Sequence, residues 1–122
     1  DTQYYIVKEA WAKDVFPNEF RGFLFDFNKK YAKSGIVDCD NFAGLAESFA
    51  SFSYPSELKS GDSGIAVGTF HYTRLTGTGH AVNLIVAEGK DSPQLLFFEP
   101  QTGQFVKLAP DEIKSAEFFE FR

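Results

Sequence analysis

The chain has 122 residues, which is the size of one domain running from residue 1 to 122. Hydrophobic residues at 43 %, including 15 phenylalanines, suffice for one packed core, and charged residues at 24 % are too few for a disordered chain. The net charge of -5, with no basic run, argues against a nucleic-acid partner, which usually meets a basic face.

The chain has no methionine and starts at Asp1, so a processed product or an excised domain is expected. No apolar run approaches the ~18 residues that span a bilayer, and no signal peptide is visible. A soluble protein without a membrane partner follows. Its compartment stays open, since a secretory leader can already have been removed. A single cysteine cannot close an internal disulfide, which leaves a buried thiol, an intermolecular link or a nucleophile.

Along the chain, "YYIVKEAWAKDVF" and "FRGFLFDFNKKYAK" mix apolar residues and charges and are separated by Pro17-Asn18. Phe20, Phe23, Leu24 and Phe27 stand at helical spacing, and "KSGI" breaks the pattern at Gly35. From Cys39 a second helix is expected, with Phe42, Leu45, Ala46 and Phe49 on one buried face and Asp38, or else Asn41, as its N-cap. The turn residues of "SYPSELKSGDSG" end it. Five strand-like runs follow: "GIAVGTFHYT", "HAVNLIVA", "PQLLFFEP", "GQFVKLA" after a "QTG" turn, and the terminal "AEFFEFR". Between the last two, "APDEI" reads as one helical turn with Pro110 near its first position. Helices first and an antiparallel sheet afterwards is an α+β order. The phenylalanine-rich runs read as core rather than partner surface.

The chemistry turns on Cys39. A cysteine nucleophile needs a lowered pKa, an imidazole to take its proton and a third group to orient that imidazole. A helix N-terminus supplies the first through its unpaired N–H groups. Asp38 and Asp40 oppose it, because negative charge disfavours a thiolate. Of the two histidines, His80 opens a strand after "TGTG" and can face a cleft, whereas His71 lies inside a strand and reads as an ordinary strand residue. If the hairpin turn after "HAVNLIVA" centres on Gly89-Lys90, position 80 faces Glu99, close enough for the carboxylate to hold the imidazole. Asn83, polar within the same strand, is a candidate for lining the cleft, although an outward-facing residue is the commoner case.

The order Cys39, His80, Glu99, at a helix start, a strand start and a strand end, resembles that of papain-like and transglutaminase-like cysteine hydrolases. "DCDNFA", "GHAVNLIV" and "FFEPQTG", within residues 38 to 102, are together similar to the calcium-activated cysteine protease domain of mushroom agglutinins and to small bacterial and phage proteins of that fold. The resemblance implies a compact papain-like fold, with Cys39 as nucleophile, His80 as base and acid and Glu99 as orienting acid. The Cys39 backbone N–H would be one oxyanion donor. The glutamine that papain-type enzymes place before the cysteine has no counterpart, since no glutamine lies between Gln3 and Gln94. Trp11 is a second-donor candidate by analogy with transglutaminase-like sites. No cofactor is required, but acids beside the cysteine imply calcium. Asp38, Asp40 and Asn41 are the candidate ligands, with Glu47 as a further oxygen donor, and a cation there would offset the field on the thiolate.

Three functions follow from this reading. The first is a peptidase or amidase that forms an acyl-thioenzyme on a peptide or protein substrate. The second is a fold of the same kind without activity, used for binding or assembly. The third is a transglutaminase-type acyl transferase.

Overall fold

The structure is a computed structural model and describes residues 4–31, 38–59, 64–116 and 118–121. The expected break at Gly35 lies outside these residues. The architecture is α+β. Strand β1 (Tyr4–Tyr5) leads through a wide helical turn (Trp11–Val15) into α1 (Phe16–Tyr31), and α2 (Cys39–Ser53) follows. Then come β2 (Gly64–Ile65), β3 (Val67–Thr73), β4 (Gly79–Ala87), β5 (Gln94–Glu99), β6 (Gln104–Val106), α3 (Pro110–Lys114) and β7 (Phe118–Phe121). The strands β3 to β7 form one five-stranded sheet in the order β6-β5-β4-β3-β7, with every neighbour antiparallel. Strands β1 and β2 make a separate parallel pair.

Pro17 does not separate two segments. It lies within a helical run that continues without a break from Glu9 through the wide turn into α1, and the wider turn just before it is the kind of local break in the ladder where a residue without an N–H is accommodated. The α1 stripe is as the spacing predicts: Phe20 and Leu24 are buried, and Phe23 and Phe27 pack against the same cluster. Phe25, off the stripe, is 62 % exposed. Helix α2 begins at Cys39 under the expected cap. The Asn41 N–H donates to the Asp38 carboxylate (3.2 Å), and the Asp38 N–H donates to the Asn41 side chain (3.1 Å). Its buried face differs in detail, since Glu47 is buried with Phe42, Ala43, Ala46 and Ala50 whereas Leu45 is only half-buried.

The sheet has two covered faces. On one, Val67, Ile85, Ala87 and Phe98 join α1, α2, Trp11 and Tyr54 in the main core. On the other, Phe70, Tyr72, Val82, Leu84 and Leu108 form a second cluster, with Phe97 against it. Because strand side chains alternate, this division assigns each site residue to a face.

The β4–β5 pairing corrects the expected register. Asn83 lies opposite Phe98 and Ala87 opposite Gln94, so six residues join the strands and the turn centres between Lys90 and Asp91. The position facing Glu99 is thus Val82, two residues from His80. A shift of two keeps side chains on the same face, so His80 and Glu99 still meet, diagonally.

The four-residue turn into β6 folds back on Glu99, whose carbonyl accepts the N–H of Gly103 at 2.8 Å. Gly103 has φ 72°, and its own carbonyl accepts from Arg21 of α1 at 2.6 Å. A Cβ at this position would overlap the Arg21 side chain. Left-handed backbone alone costs a non-glycine residue ~1–2 kcal/mol. Gly103→Ala is therefore expected to destabilise the chain by about 2 kcal/mol, read as a lower urea midpoint. An unchanged midpoint would mean that the turn can relax without the Arg21 latch.

Candidate functional site

Cys39, Asp40, His71, Tyr72, Thr73, Gly79 and His80 line one cavity of about 390 Å³ where the start of α2 meets the ends of β3 and β4. A larger open hollow of about 680 Å³ lies elsewhere, between Tyr4–Ile6 and the β4–β5 loop, and holds none of the expected site residues.

Within the cavity the side chains arrive from both faces of the sheet. Tyr72 lies directly opposite His80 in the β3–β4 pair, and their rings are 5.9 Å apart, so the two share the face of the second cluster. His71, one residue before Tyr72, faces the α2 side, and its Nδ1 lies 3.4 Å from Asp40 Oδ1. The imidazole on the cysteine's side of the sheet is therefore His71, not His80. The two faces follow from the register across the "TRLTGTG" turn, a signal present in the sequence but not used in reading His71 as an ordinary strand residue.

Every titratable side chain that reaches this cavity is in contact with another. The Cys39 Sγ is 4.0 Å from Asp40 Oδ1, the same oxygen that meets His71. No hydrogen bond joins Sγ to either imidazole among the described residues. His80 Nε2 is hydrogen-bonded to Glu99 Oε1, with the two side chains only 5 % and 12 % exposed. The second Glu99 oxygen accepts the Gln101 N–H at 3.2 Å. Burial pushes the Tyr72 phenol above its ordinary pKa, and the nearby Arg74 offsets this only in part.

The remaining expected site residues lie elsewhere or serve the fold. Trp11 is 2 % exposed and packs edge-on against Tyr54 with centroids 4.7 Å apart, far from an oxyanion role at Cys39. The apolar surface of its indole drives it into the core. Asn83 does not line the cleft or face outward: it is fully buried, and its Nδ2 donates to the carbonyls of Ala43 (2.9 Å) and Gly68 (3.3 Å), clamping α2 to the sheet.

For calcium, the oxygens of Asp38 and Asn41 answer each other's N–H groups in the helix cap, and Asp40 turns to His71. Glu47 is buried further along α2. No group of three His, Cys, Asp or Glu side chains converges among the described residues.

No family model and no curated protein matches the chain. Among solved structures it is similar to Polyporus squamosus lectin bound to the human-type influenza-binding epitope Neu5Aca2-6Galb1-4GlcNAc. That likeness has a TM-score of 0.59 and 21 % identity, over 95 % of this chain and 38 % of the lectin. It is also similar to PSL1a in complex with E64, at TM-score 0.56 and 20 % identity, over 93 % of this chain and 37 % of the other. The chain thus spans about two-fifths of the length of the proteins it resembles. The likeness is to a lectin, and it overturns the expected papain-like identity. The peptidase or amidase reading falls with that identity, and nothing in the likeness supports a peptide substrate. Among the described residues no helix is long and apolar enough to cross a membrane. At this level of identity the shared property is the α+β fold.

Proposed function

We propose that this chain is a binding module, and that the cavity framed by Asp40, His71, Thr73 and His80 receives a hydroxyl-rich ligand of the saccharide class. One observation carries the reading: the reactive groups are matched with one another before any ligand arrives. Asp40 meets both Cys39 and His71, and Glu99 holds His80. Acyl transfer needs a thiol engaged with a base. Recognition of hydroxyls needs a few fixed donors and acceptors in a concave site, and this cavity supplies them. Likeness to a lectin over 95 % of the chain supports the saccharide class.

Screening a panel of saccharides against the whole chain, followed by calorimetry, tests this. Asp40→Ala and His71→Ala are each expected to weaken the bound saccharide about tenfold or more, because a hydrogen bond to a charged group contributes ~1.5–3 kcal/mol. Lys13→Ala, exposed on the first helical turn, should bind as the parent does. Absence of any saccharide binding, binding indifferent to both cavity variants, or amide turnover that depends on Cys39 would each overturn the proposal.

A further inference from the structure

We infer that a second hollow, reached past His80 on the face away from α2, is an anion pocket that takes the carboxylate of an acidic saccharide. It measures about 300 Å³ and lies between the turn after β3, the end of β5 and the segment from Val106 to Glu112. That volume is at the small end for ligand sites.

The charge pattern of its lining carries the inference. Two acids face the hollow together with His80, Arg74 and Lys107; the acids and His80 are engaged with one another or with backbone, whereas Arg74 has only the neutral Tyr72 phenol as a side-chain partner among the described residues. Glu99 has one oxygen on His80 and the other on the Gln101 N–H. Glu112 accepts the Ala109 N–H at 2.9 Å with one oxygen and the Leu75 N–H at 3.2 Å with the other. All four carboxylate oxygens therefore have donors. Arg74 and Lys107 are exposed and form no ion pair among the described residues. The Tyr72 phenol, protonated at neutral pH as any tyrosine is, accepts from Arg74 and keeps its own O–H as a donor. A ligand entering the hollow meets two cations without a carboxylate partner among the described residues, and a guanidinium that has most of its N–H groups left after the one given to Tyr72. That pattern selects a negative group with two coplanar oxygens, which the guanidinium fork matches.

The walls are held in place. The Arg74 N–H donates to the Thr78 carbonyl, and the Gly77 N–H to the Arg74 carbonyl, each at 2.8 Å. Glu112 ties Leu75 to the start of α3, and Ser115 Oγ bridges the Thr73 N–H and carbonyl. Arg74 is thus carried on a fixed turn, so less entropy opposes binding. His80 and Tyr72 line both hollows, so an acidic ring at Arg74 has the cavity of Asp40 and His71 next to it. The inference rests on the saccharide reading for the ring of the ligand. The carboxylate contact rests on the charge pattern alone.

The test is a titration of the ¹⁵N-labelled chain, followed by NMR, with glucuronate, glucose, acetate and inorganic phosphate. Glucuronate is expected to shift the amides of residues 74–78 and 107–108 saturably, and glucose to leave them unmoved. Arg74→Ala and Lys107→Ala should each weaken glucuronate about tenfold or more, with Arg74→Lys between Arg74→Ala and the parent. Neither alanine variant should alter neutral-saccharide binding at Asp40 and His71. Equal shifts with glucose, a response to phosphate without one to the carboxylates, or Arg74→Ala binding glucuronate like the parent would overturn the pocket. If no saccharide binds anywhere but acetate still moves residues 74–78, the saccharide reading has failed and the anion pocket has not.

Discussion

Phe98→Ala is expected to lower the free energy of unfolding by about 3–5 kcal/mol, a large part of the 5–15 kcal/mol that holds a typical domain together. The ring is fully buried where the sheet meets α1. Its centroid lies 4.9 Å from that of Phe16, 5.8 Å from Phe20 and 5.5 Å from Phe105. Removing it leaves a cavity that three neighbouring rings cannot collapse to fill, and each lost aromatic pair adds to the transfer cost. Phe98→Leu should cost less, because the aliphatic side chain refills most of the volume. Urea denaturation checks this through the midpoint, with the slope unchanged if the native state keeps its compactness. Phe52→Ala is the control: that side chain is 88 % exposed, and its loss should fall within about 0.5 kcal/mol. A similar small effect for Phe98→Ala would place its ring outside the core.

Adjacent positions in β5 show how much could be read from the sequence. "PQLLFFEP" announced a strand by composition, and the alternation of Phe98 inward and Glu99 to the other face follows from its period of two. The pairing partner did not follow, because the connecting loop has six residues and neither Gly89 nor Lys90 marks its centre. His80 and Glu99 meet nonetheless, since an error of two in register conserves the face. The same periodicity failed for Asn83. Residues 80–85 of β4 are buried on both faces, so a polar residue among them gives no sign of which way it points. Glu47 was misjudged for a related reason, as a helical stripe counted from apolar residues leaves out a buried carboxylate. The cap at Asp38 was legible because Asp-x-x-Asn before an apolar run is a local signal. The Asp40–His71 contact, which joins residues 31 positions apart in the sequence, depends on how α2 docks on the sheet. Periodicity along either element alone does not contain that information. The resemblance to cysteine hydrolases rested on three residues in order, and order does not fix which imidazole shares a face with the thiol.

Glu99→Ala is expected to cost about 3–5 kcal/mol, because removing one partner of a buried pair leaves the other without compensation. The His80 ring would keep its place beside Tyr72 with no acceptor for Nε2, and the Gln101 N–H would lose its acceptor as well. Glu99→Gln preserves the shape and one of the two acceptors, and its NH2 can donate to His80 Nε2 if the ring proton moves to Nδ1 while its oxygen still accepts the Gln101 N–H, so a loss of only about 1–2 kcal/mol is expected. The decisive variant is the double replacement His80→Phe with Glu99→Leu. It removes both side-chain polar groups together and leaves without its partner only the N–H of the exposed Gln101, which water can satisfy, so it should be less destabilised than Glu99→Ala. A double-mutant cycle through His80→Phe and Glu99→Leu then gives a coupling of about 1–3 kcal/mol; additive losses would mean that the two groups act separately. Binding separates stability from recognition in the same proteins. The pair stands in the wall between the Asp40–His71 cavity and the Arg74–Lys107 hollow, and its polar atoms are held toward one another. If it serves only to hold the fold, the stable double variant binds as the parent does. If it is part of the recognition surface, that variant folds and fails to bind, whatever apolar packing restores to its stability.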